Sequence, residues 1–261
     1  MIRLWFLSTR AHLLAHWSNP SHFWSGFIGM LVNNAIVIGT LWAMLFAGRP
    51  ELSEQGAAFG GMTFVTMTSW GFIHIFLGGW TELGSQIDGG GLDSALMTPR
   101  APLVLTALTA SYIPAWGDFL MGIAGLAVMA ATRYGPLFLL NGLLMSALAA
   151  AALGGVFILI GSLGFWARRN ERLTNTLLMV IISVNGYPIF DSVGDSLKWL
   201  LVFAPLTVIG VIPARFLLHP DATTLAAETA AAMILFFGAI VIFRRGLRRY
   251  QSTPAFTGAR A

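Results

Sequence analysis

Residues 136–166 read PLFLLNGLLMSALAAAALGGVFILIGSLGFW and contain no charged side chain. At about 1.5 Å per residue, about 20 such residues cross the hydrocarbon of a bilayer, and a helix inside a soluble core is seldom so long or so free of charge. Four further stretches meet the same test, at 27–47, 58–79, 103–131 and 225–243. A sixth, 173–190, is shorter, but Arg168, Arg169 and Arg172 stand before it and Asp191 and Asp195 after it. The whole chain agrees: 56% of its residues are hydrophobic, 10% are charged and the mean hydropathy is +0.75. The expected fold class is therefore an all-α membrane protein of about six transmembrane helices, forming a single transmembrane domain over 1–261.

Residues 197–218, LKWLLVFAPLTVIGVIPARFLL, are long enough to cross but contain Pro205 and Pro213, each lacking a backbone donor. A seventh crossing would put Arg244, Arg245, Arg248 and Arg249 on the side opposite the N-terminus, against the tendency of Arg and Lys to remain cytoplasmic. A broken re-entrant element within 191–222, lying against the bundle, keeps that cluster inside. Both termini are then cytoplasmic, and only Arg49, Arg133, Lys198 and Arg215 face out. Ahead of the first span, Ile2, Trp5, Phe6, Leu13 and Trp17 share one helical face beside Arg3 and Arg10, which predicts an interfacial helix within 1–24. No unbroken apolar core with a small-residue cleavage site follows, so a removed signal peptide is not expected.

Several chemistries are excluded by what the chain lacks. It has no Cys, hence no disulfide and no thiolate ligand. Its only Lys, Lys198 in GDSLKWL, follows no glycine-rich phosphate loop, so this polypeptide cannot build a standard nucleotide-hydrolysing site. No His-Glu-x-x-His motif, Gly-x-Ser-x-Gly elbow or dense carboxylate cluster occurs, and neither a catalytic residue nor a metal site is expected. The pI of about 10.1 reflects an excess charge of only +4, with Arg residues beside apolar runs. Topology accounts for it, and nucleic acid is not an expected partner. The run RRGLRRY opens a cytoplasmic tail, 244–261, and reads as the stop of a membrane helix with Tyr250 at the interface.

Three ionisable residues fall inside expected spans: His74, Asp118 and Glu228. His74 and Glu228 lie near span ends, where an interfacial position is expected. Asp118, in YIPAWGDFL, is the candidate for a translocation path, because the break at Pro114 admits a partner or water; an inter-helix hydrogen bond is the competing reading. The small residues of ALAAAALGG permit close packing of the fourth span.

The loop between the second and third spans, 80–100, contains TELGSQIDGGGLDSALMTPR. Gly89, Gly90 and Gly91 loosen the backbone and a short helix runs from Leu92 until Pro99 interrupts it. Leu92, Ala95 and Leu96 share a face of that helix, which suits either a protein partner or lipid headgroups.

The pattern Gly91-Leu92-Asp93-x-x-Leu96-x-Thr98-Pro99 resembles the coupling segment in permeases of the type-two family of ATP-binding cassette (ABC) exporters. The leading interfacial helix, the broken element from NGYPIF to VIGVIPARFLL and the RRGLRRYQS tail are similar to a bacterial branch of that family, over nearly the whole chain. One departure is the triple glycine, where familiar members carry a charged residue before the helix; Asp88 is the nearest equivalent. The resemblance implies a permease subunit in the bacterial cytoplasmic (inner) membrane, working as a dimer with a second copy or a related permease, in contact with membrane lipid. Gly91, Leu92, Asp93, Ala95, Leu96, Thr98 and Pro99 would form its coupling interface with separate ABC ATPase subunits. ATP and Mg would be bound by those subunits, with no cofactor on this chain, and the substrate path would run near spans two and five. Two other classes remain open from the residues alone: a secondary transporter or channel without an ATPase, and a membrane scaffold or assembly factor.

Overall fold

The computed structural model describes residues 2–166 and 207–250. The expected span at 173–190, Pro205 and the end of the tail lie outside the described residues. Those described are mainly helical, and the α-helices numbered in order are α1 (Ile2–Trp17), α2 (Pro20–Phe46), α3 (Ser53–Phe76), α4 (Leu83–Asp88), α5 (Leu92–Leu96), α6 (Pro102–Ala107), α7 (Ala115–Met129), α8 (Pro136–Ser162), α9 (Ile212–Leu218) and α10 (Ala222–Leu247).

Among the described residues, four helices are long and apolar enough to cross a membrane: α2, α7 with its π-helical continuation to Tyr134, α8 continued to Phe165, and α10. The expected second crossing is not among them on hydropathy, because α3 carries Ser53, Glu54, Gln55 and several Thr and Ser residues. Its 24 residues nevertheless extend about 36 Å, and it runs through the centre of the bundle against α7, α8 and α9. Protein replaces lipid around it, so its hydroxyls need only local acceptors. Thr68 Oγ1 donates to the Phe64 carbonyl at 2.8 Å, and Ser69 Oγ reaches the carbonyls of Val65 and Ser146 at 2.7 and 2.9 Å.

The expected third span, 103–131, is a correction. It is broken into α6 and α7, with non-helical backbone between them ending at Pro114. Non-helical backbone at such a position requires other donors for its carbonyls. The N-terminal helix supplies them: Ser8 Oγ and His12 Nε2 donate to the Leu108 carbonyl, each at 3.0 Å, and His16 Nε2 to the Ser111 carbonyl at 3.2 Å. These three residues, spaced by four, form the polar face of α1. Burial against the bundle lowers the pKa of His16 below its ordinary value. Trp5 packs on Phe76 with ring centroids 5.1 Å apart, while Phe6, Leu13 and Trp17 remain exposed. The interfacial element thus ends at Trp17 rather than at residue 24, since Asn19 caps a new helix by accepting from the His22 N–H at 3.3 Å and Pro20 opens it.

The small-residue run of α8 is a packing surface. Ala149 and Ala152 are fully buried, and a Cβ on Gly155 would stand 2.8 Å from the Leu235 carbonyl carbon of α10. Of the expected re-entrant element, the described part is a π-helical turn at Thr207–Val211 followed by α9, which packs on α3 and α8 with Pro213 buried. His219 Nε2 meets Glu54 Oε1 at 2.8 Å, and Asp221 caps α10 by accepting from the Thr224 N–H at 2.7 Å. That bond holds the Asp221 carboxyl below the usual carboxylate range. Glu228, in the second turn of α10, is 0% exposed on the face that also carries Ala232, Ala239 and Phe243, and among the described residues neither carboxylate oxygen has a hydrogen-bond partner.

Candidate functional site

Loop 80–100 is a folded unit rather than a simple turn. It leaves α3 through a 3-10 turn at Gly78–Trp80 that lies directly against the α6–α7 break. A Cβ on Gly79 would fall 1.7 Å from the Thr106 carbonyl oxygen, so only glycine allows this approach. Trp80 Nε1 donates to the Leu103 carbonyl at 2.9 Å, and Gln86 Nε2 donates to the Gly79 carbonyl and to Thr109 Oγ1, both at 2.9 Å. Tyr112 donates its hydroxyl to the Glu82 carboxylate. The chain reverses after α4 through Gly90, at a φ of 77° that L side chains rarely adopt, and the Gly91 N–H returns to the Gln86 carbonyl at 2.7 Å.

The underside of this unit is apolar and packed on the ends of long helices. Leu83 faces Gly161 and Ile87 faces Gly164, at the end of α8. Leu92 and Ala95 belong to the same buried layer, Leu92 at 0% exposure. This corrects the expected placement of Leu92 on the exposed face of the short helix. The spacing of Leu92, Ala95 and Leu96 does put them on one side, but the loop folds α5 back beside α6 and turns that side inward, burying Leu92 and Ala95. What protrudes is the end of α5: Leu96 is 42% exposed and Met97 87%. Thr98, Pro99 and Arg100 continue the exposed tip, with Thr98 Oγ1 donating to the Ala95 carbonyl at 2.8 Å.

Two features of the loop were not anticipated from the sequence. Met97 was not singled out, although it stands between Leu96 and Pro99. Tyr250, read as an interfacial residue of the tail, donates its hydroxyl to Asp93 Oδ1 at 2.9 Å and sits edge-on to Phe165. The short helix is therefore tied to the end of α10. Burial, and then the carboxylate acceptor, push the Tyr250 hydroxyl up to about 12. Its folded value lies above the unfolded one, so the contribution of this link is complete below about pH 10 and is lost only as pH rises through the folded value. The phenolate absorbance that distinguishes the wild type from Tyr250→Phe should accordingly appear near pH 12; its appearance near pH 10 would show that the link is not formed.

Asp118 lies elsewhere, in the joint between α2 and α7, where Asn34 Nδ2 donates to its Oδ1 at 2.6 Å and both residues are buried. It does not line the apolar cleft of about 430 Å³ between α3, α7, α8 and α10, whose polar groups are Thr68 and Ser146. Removing one partner alone strands the other, at about 1–3 kcal/mol, whereas replacing both by apolar residues is close to neutral. Asp118→Leu should lower the melting midpoint in detergent more than the Asn34→Leu/Asp118→Leu pair does. A double variant that folds normally yet no longer transports would move Asp118 from the joint to the path.

His74 is half-buried, with its Nδ1–H donating to the Trp70 carbonyl at 2.9 Å and its ring stacked on Trp70 at 4.1 Å. That satisfies it within α3.

A bundle of membrane-length helices with a folded, protruding loop at one end defines a multi-pass membrane protein. A family model described as ABC-2 family transporter protein matches residues 28–254, and the chain belongs to that family. It is thus a permease component of an ABC transporter, the membrane part rather than the ATPase. No curated protein matches it.

Proposed function

We propose that this permease is the membrane-spanning subunit of an exporter that moves its substrate across the bacterial cytoplasmic membrane with ATP hydrolysed, together with Mg, on separate ATPase subunits. The observation that carries this reading is the exposed Leu96–Met97 tip on a loop whose underside is packed against α8 and tied to α10. A groove of an ATPase subunit that closes on the tip would move a unit with little internal play. The Gln86, Trp80 and Tyr250 hydrogen bonds would pass that displacement to α3, α6 and α10. Such a switch works only if the nucleotide states differ in affinity for the two arrangements of the bundle. A second permease copy, or a related chain, would complete the path, and the apolar cleft on α3 would receive an apolar part of the substrate. Purification in mild detergent tests the reading: an ATPase polypeptide should accompany the chain, and the chain alone should hydrolyse no ATP. Turnover that persists after every other polypeptide is removed would contradict it.

The distribution of Arg supports a topology with both termini and the 80–100 loop in the cytoplasm. The absence of native Cys makes this directly testable. Ser53 and Ser94 are both exposed, at opposite ends of the α3-to-α5 segment. In intact cells Ser53→Cys should react with a membrane-impermeant maleimide, and Ser94→Cys only after the membrane is opened. The reverse pattern would invert the topology.

A further inference from the structure

At the end of the bundle opposite the loop, α2, α3 and α7 enclose a cleft of about 650 Å³. That lies within the size range of ligand pockets, about 300–1,000 Å³. Its inner wall is apolar, formed by residues such as Ile38, Phe64 and Met129, and its mouth carries Trp42, Arg49 and Arg133. Arg133 lies over the Tyr134 ring, 5.4 Å from its centroid, and Arg49 reaches back to the Leu45 carbonyl at 3.4 Å. Among the described residues, neither guanidinium meets a carboxylate. Glu51 and Glu54, on the adjoining turn and helix, do not line the cleft, and Glu54 is held by His219.

Two exposed cations line this one apolar cleft, each touching only its own end of a helix. They also sit at the end that the Arg distribution leaves poor in positive charge. Paired guanidinium groups match the oxygens of a phosphate with bidentate hydrogen bonds, the aromatic mouth suits the headgroup level of a bilayer, and the wall behind suits an acyl chain. We propose that this cleft binds one anionic phospholipid, its phosphate between Arg49 and Arg133 and a chain lying between α2 and α7. The proposal does not depend on the transport reading.

Ser53 lines the same cleft, so a photo-crosslinker on Ser53→Cys reaches its occupant. In vesicles of equal phosphatidylglycerol and phosphatidylcholine, the adduct identified by mass should be mainly phosphatidylglycerol. Arg49→Gln/Arg133→Gln should lower that adduct about tenfold or more, as expected for lost charge-assisted bonds, while Arg49→Lys/Arg133→Lys should retain part of it. Equal adducts of the two lipids, or a phosphatidylglycerol adduct unchanged in the Gln variant, would reduce the occupant to ordinary surrounding lipid and overturn the proposal. So would loss of the adduct on adding inorganic phosphate at the concentration of the lipid headgroups, which would make the site one for a free anion.

Discussion

Replacing Leu96 and Met97 together by Arg should abolish transport while leaving the permease inserted and folded. Both side chains lie at the tip of loop 80–100, Met97 at 87% exposure and Leu96 at 42%, so the fold draws little on Met97 and only in part on Leu96. If they fill a groove of the ATPase, each buried side chain contributes about 1.5–3 kcal/mol, and two Arg residues there would also leave charges desolvated and unpaired. A loss of about 3 kcal/mol or more corresponds to over a hundredfold in affinity. The ATPase should fail to co-purify, and permease-dependent stimulation of its activity should vanish. A tip resting on headgroups gives the opposite result, because anionic lipid attracts Arg. Leu92→Ala should behave differently from both. Leu92 is fully buried, so its truncation leaves a cavity costing about 2–5 kcal/mol and loosens the loop itself.

Gly79→Ala should have the second large effect, and through geometry alone. The added methyl carbon would fall 1.7 Å from the Thr106 carbonyl oxygen and 2.4 Å from Thr109 Oγ1. Backbone must move to admit it, and such overpacking costs about 1–3 kcal/mol or more. The displaced segment carries the Gly79 carbonyl that Gln86 grips and lies beside the Trp80–Leu103 bond, so the loop should come away from α6. Transport and ATPase association should both fall, together with the melting midpoint in detergent. Gly238→Ala is the matched control: nothing lies within 4 Å of its Cβ position, and replacing a helical glycine by alanine is favourable by about 0.5–1 kcal/mol. Equal behaviour of the two variants would remove the Gly79 contact from the account.

How far the sequence reached depended on whether the deciding contact was local. The length and apolarity of α8 are properties of one segment, and they announced a membrane helix directly. The polarity of α3 was tolerated because neighbouring helices surround it, which no window of hydropathy reports. Pro114 was visible as a break, but the helical continuity of 103–131 failed for a longer reason: the carbonyls of Leu108 and Ser111 are met by Ser8, His12 and His16, about a hundred positions away. The same spacing of four that makes those residues a polar face could have suggested a protein partner for α1. The inward turn of Leu92 was hidden, because a five-residue helix has no face of its own until the loop folds it back beside α6. Tyr250 and Asp93 meet across 157 positions, and nothing in either neighbourhood marks the pair.

The claim on which the rest turns is that the Leu96–Met97 tip, and not the buried side of the loop, seats in an ATPase subunit. Cysteine crosslinking reads this contact directly, since the chain has no Cys of its own. Met97→Cys, treated with a short bifunctional reagent in native membranes, should join the permease to an ATP-binding polypeptide, and Leu92→Cys should not. Failure of Met97→Cys to join any ATPase while Leu92→Cys does so, or adducts of Met97→Cys with lipid alone, would contradict the coupling role of the loop.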